Sequence, residues 1–210
     1  MYKYYDIFDS ICLMLLYCIY FFPRWKNNKR CLFLKTILYT YICSALYFTL
    51  MPFILPIPFI NFNLSSVNIN LIPFNDFLLG HGGAAKEFFL NIIMMIPFSI
   101  LVPFIYKKDF FSTIKYTLSF SLTIEVFQIF SYGGLRNFDT TDLISNTLGG
   151  IIGYLLYMLF YPLATFLIDK IFKGSENRNE KSQSSTGIKK ILYGIIIVQL
   201  FIRSILVSYI

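Results

Sequence analysis

The chain has 210 residues and a formal net charge of +7, with 57% hydrophobic and only 14% charged residues. Soluble domains contain about 45–50% apolar and about 25% charged residues, so this composition excludes an ordinary soluble domain and predicts a polytopic membrane protein. The basic residues lie in alternate loops between apolar runs rather than along one stripe, which argues against a nucleic-acid partner.

Six apolar runs follow one another along the chain, at 7–22, 32 to about 55, 87–106, 111–131, about 142–168 and 191–210. A helix needs about 20 mostly apolar residues to cross a bilayer, and each run comes close to that length. The first run is short and is stopped by Pro23, and the sixth carries Arg203. Pro97 and Pro103 interrupt the third run. The sequence therefore predicts an all-α fold, a polytopic transmembrane helical bundle of five to six spans.

Most lysines and arginines outside the runs lie in the first, third and fifth loops. Because basic loops stay on the cytoplasmic side, these three loops are predicted to face the cytoplasm and the second and fourth to face outward. The four cysteines lie in or beside the first two runs and lack zinc-ligand spacing, so they predict no metal centre.

Polar residues are concentrated between the fourth run and the fifth, in the stretch 124–154 that reads IEVFQIFSYGGLRNFDTTDLISNTLGGIIGY. Glu125 and Gln128 are three residues apart and therefore share one helix face. A carboxylate at the bilayer centre costs about 2.5–3.5 kcal/mol, so Glu125 needs a partner, a proton or a water-filled cavity. The two runs form an antiparallel hairpin whose outward end gathers six polar side chains: Glu125, Gln128, Arg136, Asp139, Asp142 and Asn146.

The beginning of the fifth run predicts a polar helix start followed by a close helix contact. Asp142 meets the positive end of the helix dipole and the unpaired backbone N–H groups of the first turn. Asn146 lies one turn further along on the same face. Gly149 and Gly153 then follow at GxxxG spacing, which lets two helices approach closely.

Two interpretations of this polar cluster are open. In the functional one, the cluster lines a pocket open to the outer leaflet, and Arg136 engages an anionic group such as a phosphate. Glu125, Asp139 and Asp142 then hold a divalent cation or act as acid and base. In the structural one, Arg136 neutralises the acids and pins the hairpin. Ionisable residues inside a membrane are functional by default, which favours the first interpretation.

The spacing E-x-x-Q, followed by R-x-x-D-x-x-D-x-x-x-N-x-x-G-x-x-x-G, resembles the signature of the VanZ-like family of bacterial membrane proteins. The segment NLIPF at 70–74 resembles the outer-loop motif of that family. The segment NIIMMIPFS resembles its N-x-x-x-F-x-P-x-G motif, with Asn91 and Pro97 in place and Met95 and Ser99 as departures. From this third run, Asn91 is predicted to line the pocket and Pro97 to shape helix packing through a kink. The resemblance covers about residues 32–160.

The resemblance implies a multi-pass protein of the bacterial cytoplasmic membrane, and the family's namesake is associated with resistance to the glycopeptide teicoplanin. We expect an N-terminal span and basic loop at 1–31, a VanZ-like membrane domain at 32–172, and a linker with a last span at 173–210. The expected function is to bind or reorganise a membrane lipid or lipid-linked cell-wall precursor at the outer leaflet, which lowers glycopeptide sensitivity. A non-enzymatic role without a cofactor is favoured. The alternatives are an enzyme acting on a lipid-linked head group and a small transporter that works as a homo-oligomer.

Overall fold

The computed structural model describes residues 10–50, 69–129, 138–172, 193–195 and 197. The described helices are α1 (Ser10–Trp25), α2 (Lys29–Leu50), α3 (Asn75–Leu78), α4 (Ala84–Tyr106), α5 (Phe110–Ile129) and α6 (Thr140–Ile171). Two strands of two residues each, β1 (Ile69–Asn70) and β2 (Phe138–Asp139), lie ahead of α3 and α6. Helices thus dominate the described part of the chain, which confirms the predicted all-α class.

Three of the described helices, α2, α4 and α6, are long and apolar enough to cross a membrane. Helix α1 is apolar but shorter. Helix α5 has 20 residues but is not among these three, because serines, threonines, Lys115 and Glu125 are spread along it. Most of the sixth run lies outside the described residues. A total of five to six spans therefore stays a prediction.

Proline acts differently in two helices from what the sequence predicted. Helix α4 continues through both Pro97 and Pro103, so the third run is not broken. Transmembrane helices tolerate proline because neighbouring groups satisfy the freed carbonyls. Pro23 does not stop α1 either, because a π-helical segment at Tyr17–Phe21 precedes it. Pro23 therefore lies in the first turn of the next α-helical segment, Phe22–Trp25. Backbone N–H groups in a first turn have no partner within the helix, so proline costs no hydrogen bond there.

The closest helix contact in the described bundle is formed by the glycines of α6. A Cβ atom on Gly149 would overlap the backbone carbonyl of Ile92 in α4, and one on Gly153 would lie 2.5 Å from the carbonyl oxygen of Ile96. Gly150 faces α5, where a Cβ atom would lie 2.8 Å from Thr117 Cγ2. The close approach predicted from the GxxxG spacing is therefore present, with α4 as the partner helix.

The interior of the bundle is polar along one side of α5. Five side chains are buried on what we call the polar face of α5: Thr113, Thr117, Ser121, Glu125 and Gln128. Their spacings of four, four, four and three residues keep them on one side of the helix. Large apolar side chains cover the opposite, outward-facing surface of the bundle, as expected for contact with acyl chains, among them Phe48, Leu90, Ile93, Phe111, Leu159 and Phe166.

The two ends of the bundle carry opposite charge. The end at which α1, α4 and α6 finish, the basic end, carries Arg24, Lys26, Lys29, Arg30, Lys107, Lys108 and Lys170. The end at which α4 and α6 begin, the acidic end, carries Asp76, Glu87, Asp139 and Asp142. At the basic end, Arg30 Nη1 lies 2.9 Å from Asp169 Oδ1, which joins the start of α2 to the end of α6.

The glycine contact generates a stability prediction. Replacing Gly149 by Ala places a methyl group against the Ile92 carbonyl and forces α4 and α6 apart. We expect a loss of about 1–3 kcal/mol, or a decrease in Tm of about 2–12 °C, measured by thermal unfolding of the purified protein. Gly82→Ala is the matched control, because nothing lies within 4 Å of its added methyl group. Equal Tm values for the two variants would contradict the close contact.

Candidate functional site

The start of α6 is tied to the segment that precedes α3. Strands β1 and β2 pair in parallel, with Asn70 opposite Asp139. Asn70 Nδ2 donates to Asp139 Oδ2 (3.0 Å), and Thr140 Oγ1 donates to the Asn70 carbonyl (3.2 Å). The Phe74 backbone N–H donates to Thr141 Oγ1 (2.9 Å). We call this set of contacts the strand clasp, and it fixes the NLIPF segment across the acidic end.

Glu125 and Asp139 act together to hold the strand clasp in position. Glu125 is only 1% exposed, and its Oε2 accepts a hydrogen bond from the Asp139 backbone N–H (3.0 Å). Asp139 is the N-cap of α6, and its Oδ1 accepts from the Thr141 backbone N–H (2.6 Å). The first backbone N–H groups of a helix have no partner within the helix, and a carboxylate at the helix start accepts hydrogen bonds from them. Glu125 thus has the partner that its depth in the bundle requires.

Asn91, about two turns into α4, and Asp142, in the first turn of α6, join these two helices at the acidic end. Asn91 Nδ2 donates to Asp142 Oδ1 (2.7 Å), and this short bond is charge-assisted when the carboxylate is ionised. No described residue bonds the other oxygen of Asp142 in the structure. Both side chains line a cavity, so the Asn91 predicted from the sequence does lie beside Asp142.

Gln128 joins α5 to the last turn of α2 and leaves one acceptor unused. Its Nε2 donates to the Thr49 carbonyl (3.1 Å), and the side chain is 7% exposed. Because a carbonyl only accepts hydrogen bonds, this contact fixes which end of the amide is nitrogen. The Oε1 atom is buried and has no hydrogen-bond partner among the described residues.

Of the other residues singled out from the sequence, those that the structure describes do not line the cavity. Asn146 Nδ2 donates to Ser121 Oγ (2.8 Å) inside the contact between α5 and α6, and Asn146 does not line the cavity. Pro97 is exposed on α4 and is not among the cavity residues. Gly149 and Gly153 lie in the α4–α6 contact. Arg136 lies outside the described residues, so its predicted contact with an anionic group stays a prediction.

A cavity of about 850 Å³ opens at the acidic end, between α2, α4, α5 and the start of α6. Its polar lining includes Asp76, Glu87, Asn91, Gln128, Asp139 and Asp142. Its apolar lining includes Phe48, Phe77, Phe88, Leu90, Ile93 and Met94. Of the described residues that line it, none is a lysine, arginine or histidine. The volume lies within the range of small-molecule sites, about 300–1,000 Å³.

The cavity is continuous with the apolar outer surface of the bundle. Phe48, Leu90 and Ile93 line the cavity and are also strongly exposed on α2 and α4. In a bilayer, exposed apolar residues of this kind contact acyl chains. The site therefore offers buried polar groups on one side and a lipid-compatible wall on the other.

Metal binding receives no support from the geometry of the described residues. Nowhere in that part of the chain do three His, Cys, Asp or Glu side chains come together as a metal site. Both oxygens of Asp139 already accept protein hydrogen bonds. A divalent cation at Glu125, Asp139 and Asp142 stays a sequence prediction.

Comparison with known proteins gives the family. A family model described as VanZ/LLP1 matches residues 37–161, which is more than half of the chain. The chain belongs to the VanZ/LLP1 family. It is also similar to Protein VanZ of Enterococcus faecium, at 37% identity over 100 residues, which cover 47% of this chain and 57% of that protein. The match thus spans little more than half the length of this relative. No solved structure matches the chain.

Three residues of this VanZ/LLP1 site were missed by the sequence analysis although each has a sequence signal. Glu87 lies four residues before Asn91, which is the spacing of one helix face, and both line the cavity. Asn70 opens the NLIPF segment and anchors the strand clasp. Ser121 lies four residues before Glu125, on the polar face of α5. Thr49 left no such signal, because it contributes through its backbone carbonyl.

The contact between Glu125 and the strand clasp generates a second prediction. Glu125→Ala leaves the Asp139 backbone N–H without its acceptor, and we expect a loss of about 1–3 kcal/mol. Glu125→Gln keeps an acceptor oxygen at the same reach and should lose clearly less. Thermal unfolding of the two variants beside the wild type provides the measurement. Equal destabilisation by both substitutions would show that the charge of Glu125, rather than this hydrogen bond, stabilises the bundle.

Proposed function

We propose that this VanZ/LLP1 member binds a membrane lipid or lipid-linked cell-wall precursor at the outer leaflet of the bacterial cytoplasmic membrane and thereby lowers sensitivity to teicoplanin-type glycopeptides. The observation that carries the proposal is the cavity at the acidic end, because it joins buried polar side chains to a lipid-facing apolar wall. Such a cavity fits an amphiphile better than a fully polar solute.

The charge of the two ends supports the orientation. Lysine and arginine are concentrated at the basic end, and the positive-inside rule assigns that end to the cytoplasm. The acidic end and its cavity then face outward. A lipid or precursor bound there lies on the side of the membrane that an external glycopeptide reaches first.

The arrangement of the polar groups supports binding rather than catalysis. Glu125, Asp139 and Asn91 each hold a backbone or side-chain group of another element in place. These bonds fix the positions of α4, α5 and α6 around the cavity, as a preorganised binding site requires. An amphiphile enters between α2 and α4 without leaving the bilayer, since the wall there is formed by Phe48, Leu90 and Ile93.

Two adjacent alanines at the start of α4 permit a matched test. Ala84 lines the cavity, whereas Ala85 is exposed and does not. Ala84→Trp fills part of the cavity and should abolish teicoplanin protection in a susceptible bacterial host, while Ala85→Trp should retain it. The readout is the minimal inhibitory concentration, with membrane-inserted protein quantified for each strain. Full protection by a normally accumulated Ala84→Trp variant would refute the role of the cavity.

Mass spectrometry of lipids and wall precursors from the same strains separates binding from chemistry. A binding protein leaves the covalent species unchanged between the wild-type and Ala84→Trp strains. A lipid or precursor species that appears only with the wild-type protein would instead favour an enzyme acting on a lipid-linked head group.

A further inference from the structure

The polar atoms of the cavity are almost all hydrogen-bond acceptors. Four carboxylates line it, from Asp76, Glu87, Asp139 and Asp142, and ionised carboxylates only accept. The described lining residues include no lysine, arginine or histidine, and among these carboxylates only Asp76 has a described basic neighbour, His81, whose Nδ1 lies 3.1 Å from Asp76 Oδ1. The complementary ligand therefore carries positive charge and donates hydrogen bonds.

Gln128 supplies an independent observation in favour of a donor. Its Oε1 atom is buried beside the cavity without a partner among the described residues. The amide cannot rotate to exchange its two ends without losing the bond from Nε2 to the Thr49 carbonyl. A buried acceptor that remains unpaired is unfavourable, so a ligand N–H at this position gains binding free energy.

We propose that the cavity binds the primary ammonium group of a membrane lipid. This inference rests on the proposed lipid-binding function and specifies its ligand. An ammonium group has three N–H donors, and the lining offers acceptors for them on Gln128, Asp142 and Glu87. The second carboxylate oxygen of Asp142 is available for such a bond, because Asn91 engages only Oδ1.

The apolar lining distinguishes a lipid from a free amine or a metal ion. Phe77 and Phe88 form an aromatic pair beside the carboxylates, with ring centroids 5.9 Å apart, and aromatic faces attract cations. Phe48, Leu90 and Ile93 continue the site to the outer surface, where an acyl chain lies. A hydrated metal ion would gain no binding free energy from this apolar wall. A lipid with an amine head group uses both parts of the site.

The source of the ammonium group is either a zwitterionic ethanolamine phospholipid or a net cationic aminoacyl phospholipid. The two differ in their charge near the phosphate, and the lipids of the experiment distinguish them.

The test uses the full-length protein in nanodiscs and lipids with identical acyl chains. Phosphatidylethanolamine and phosphatidylcholine carry the same charges, but the choline group has no N–H donor. Lysyl-phosphatidylglycerol is compared with phosphatidylglycerol, which lacks the lysyl ammonium groups and therefore also differs in net charge. Native mass spectrometry measures the lipid retained by the protein. The lipid that supplies the ammonium group should bind at least about tenfold more tightly than the lipid it is paired with. At least one of the two pairs should show this preference.

Three variants separate the ammonium contact from lipid binding in general. Asp142→Asn and Glu87→Gln should both lower the ratio of amine-lipid to phosphatidylcholine binding, because the amide keeps the size of the side chain and removes the charged acceptor. Glu87→Gln should not disturb folding, because Glu87 is exposed in the first turn of α4, so its effect reports on binding. Asp109→Asn at the basic end is the control. The hydrogen bond from Ser112 lowers the pKa of Asp109, so this exposed carboxylate is charged at neutral pH and should not affect the preference when removed.

The outcomes for the ligand and for the proposed function are distinguishable. Lipid binding that is lost in Ala84→Trp but shows no amine preference overturns the ammonium inference and leaves the proposed function standing. Preferential retention of phosphatidylglycerol also overturns it. Absence of lipid retention, or retention unaffected by Ala84→Trp, overturns both. A preference for an amine lipid that the Asp142→Asn and Glu87→Gln variants lose, and that Asp109→Asn keeps, supports both.

Discussion

The bundle depends on one constraint, namely that polar groups within a membrane must find their partners inside the protein. Helix α5 carries five of the ten buried polar side chains of the described residues, and each of three neighbouring helices supplies a partner. Helix α4 provides Ser99 to Thr117, α6 provides Asn146 to Ser121, and α2 provides the Thr49 carbonyl to Gln128. These contacts fix the polar face of α5 against its neighbours and leave the apolar sides of the helices, including that of α5, to meet the lipid. Polar pairing therefore specifies the arrangement, since apolar contacts alone gain little free energy between helices in lipid.

The site at the acidic end is an extension of the same polar network. Glu125 is the member of the polar face of α5 that reaches the strand clasp, and Gln128 is the member that reaches the cavity. Asn91 and Asp142 then connect α4 with α6 at the rim. The residues of the polar cluster, and Glu87 beside them, make different kinds of contact. Glu125 and Asp139 stabilise the start of α6, while Gln128, Asp142 and Glu87 present acceptors to the cavity.

Local spacing determined how much of the site the sequence predicted. The face shared by Glu125 and Gln128, and the close approach at Gly149 and Gly153, follow from helical periodicity alone. Asn146 illustrates the limit of that inference. It shares a helix side with Asp142 but lies about 6 Å deeper, because four residues rise about 1.5 Å each. At that depth the side chain of Asn146 contacts Ser121 of α5, whereas Asp142, nearer the helix start, borders the cavity.

The parallel pairing of Asn70 with Asp139 was beyond prediction for a different reason. The two residues are far apart in the chain, and a strand of two residues has no periodicity that a sequence pattern could reveal. The prediction that prolines interrupt α4 was wrong. Helix propensity describes an isolated helix, whereas Pro97 lies in a helix that is packed against its neighbours.

The composition of α5 has a consequence for how the protein is made. A helix with Lys115, Glu125 and a row of serines and threonines is a poor substrate for insertion as an isolated segment. Its polar face becomes acceptable to the membrane only when Asn146, Ser99 and the start of α6 shield it. The contacts of this face with α4 and α6 therefore favour insertion of α5 together with its partner helices over insertion as an isolated segment.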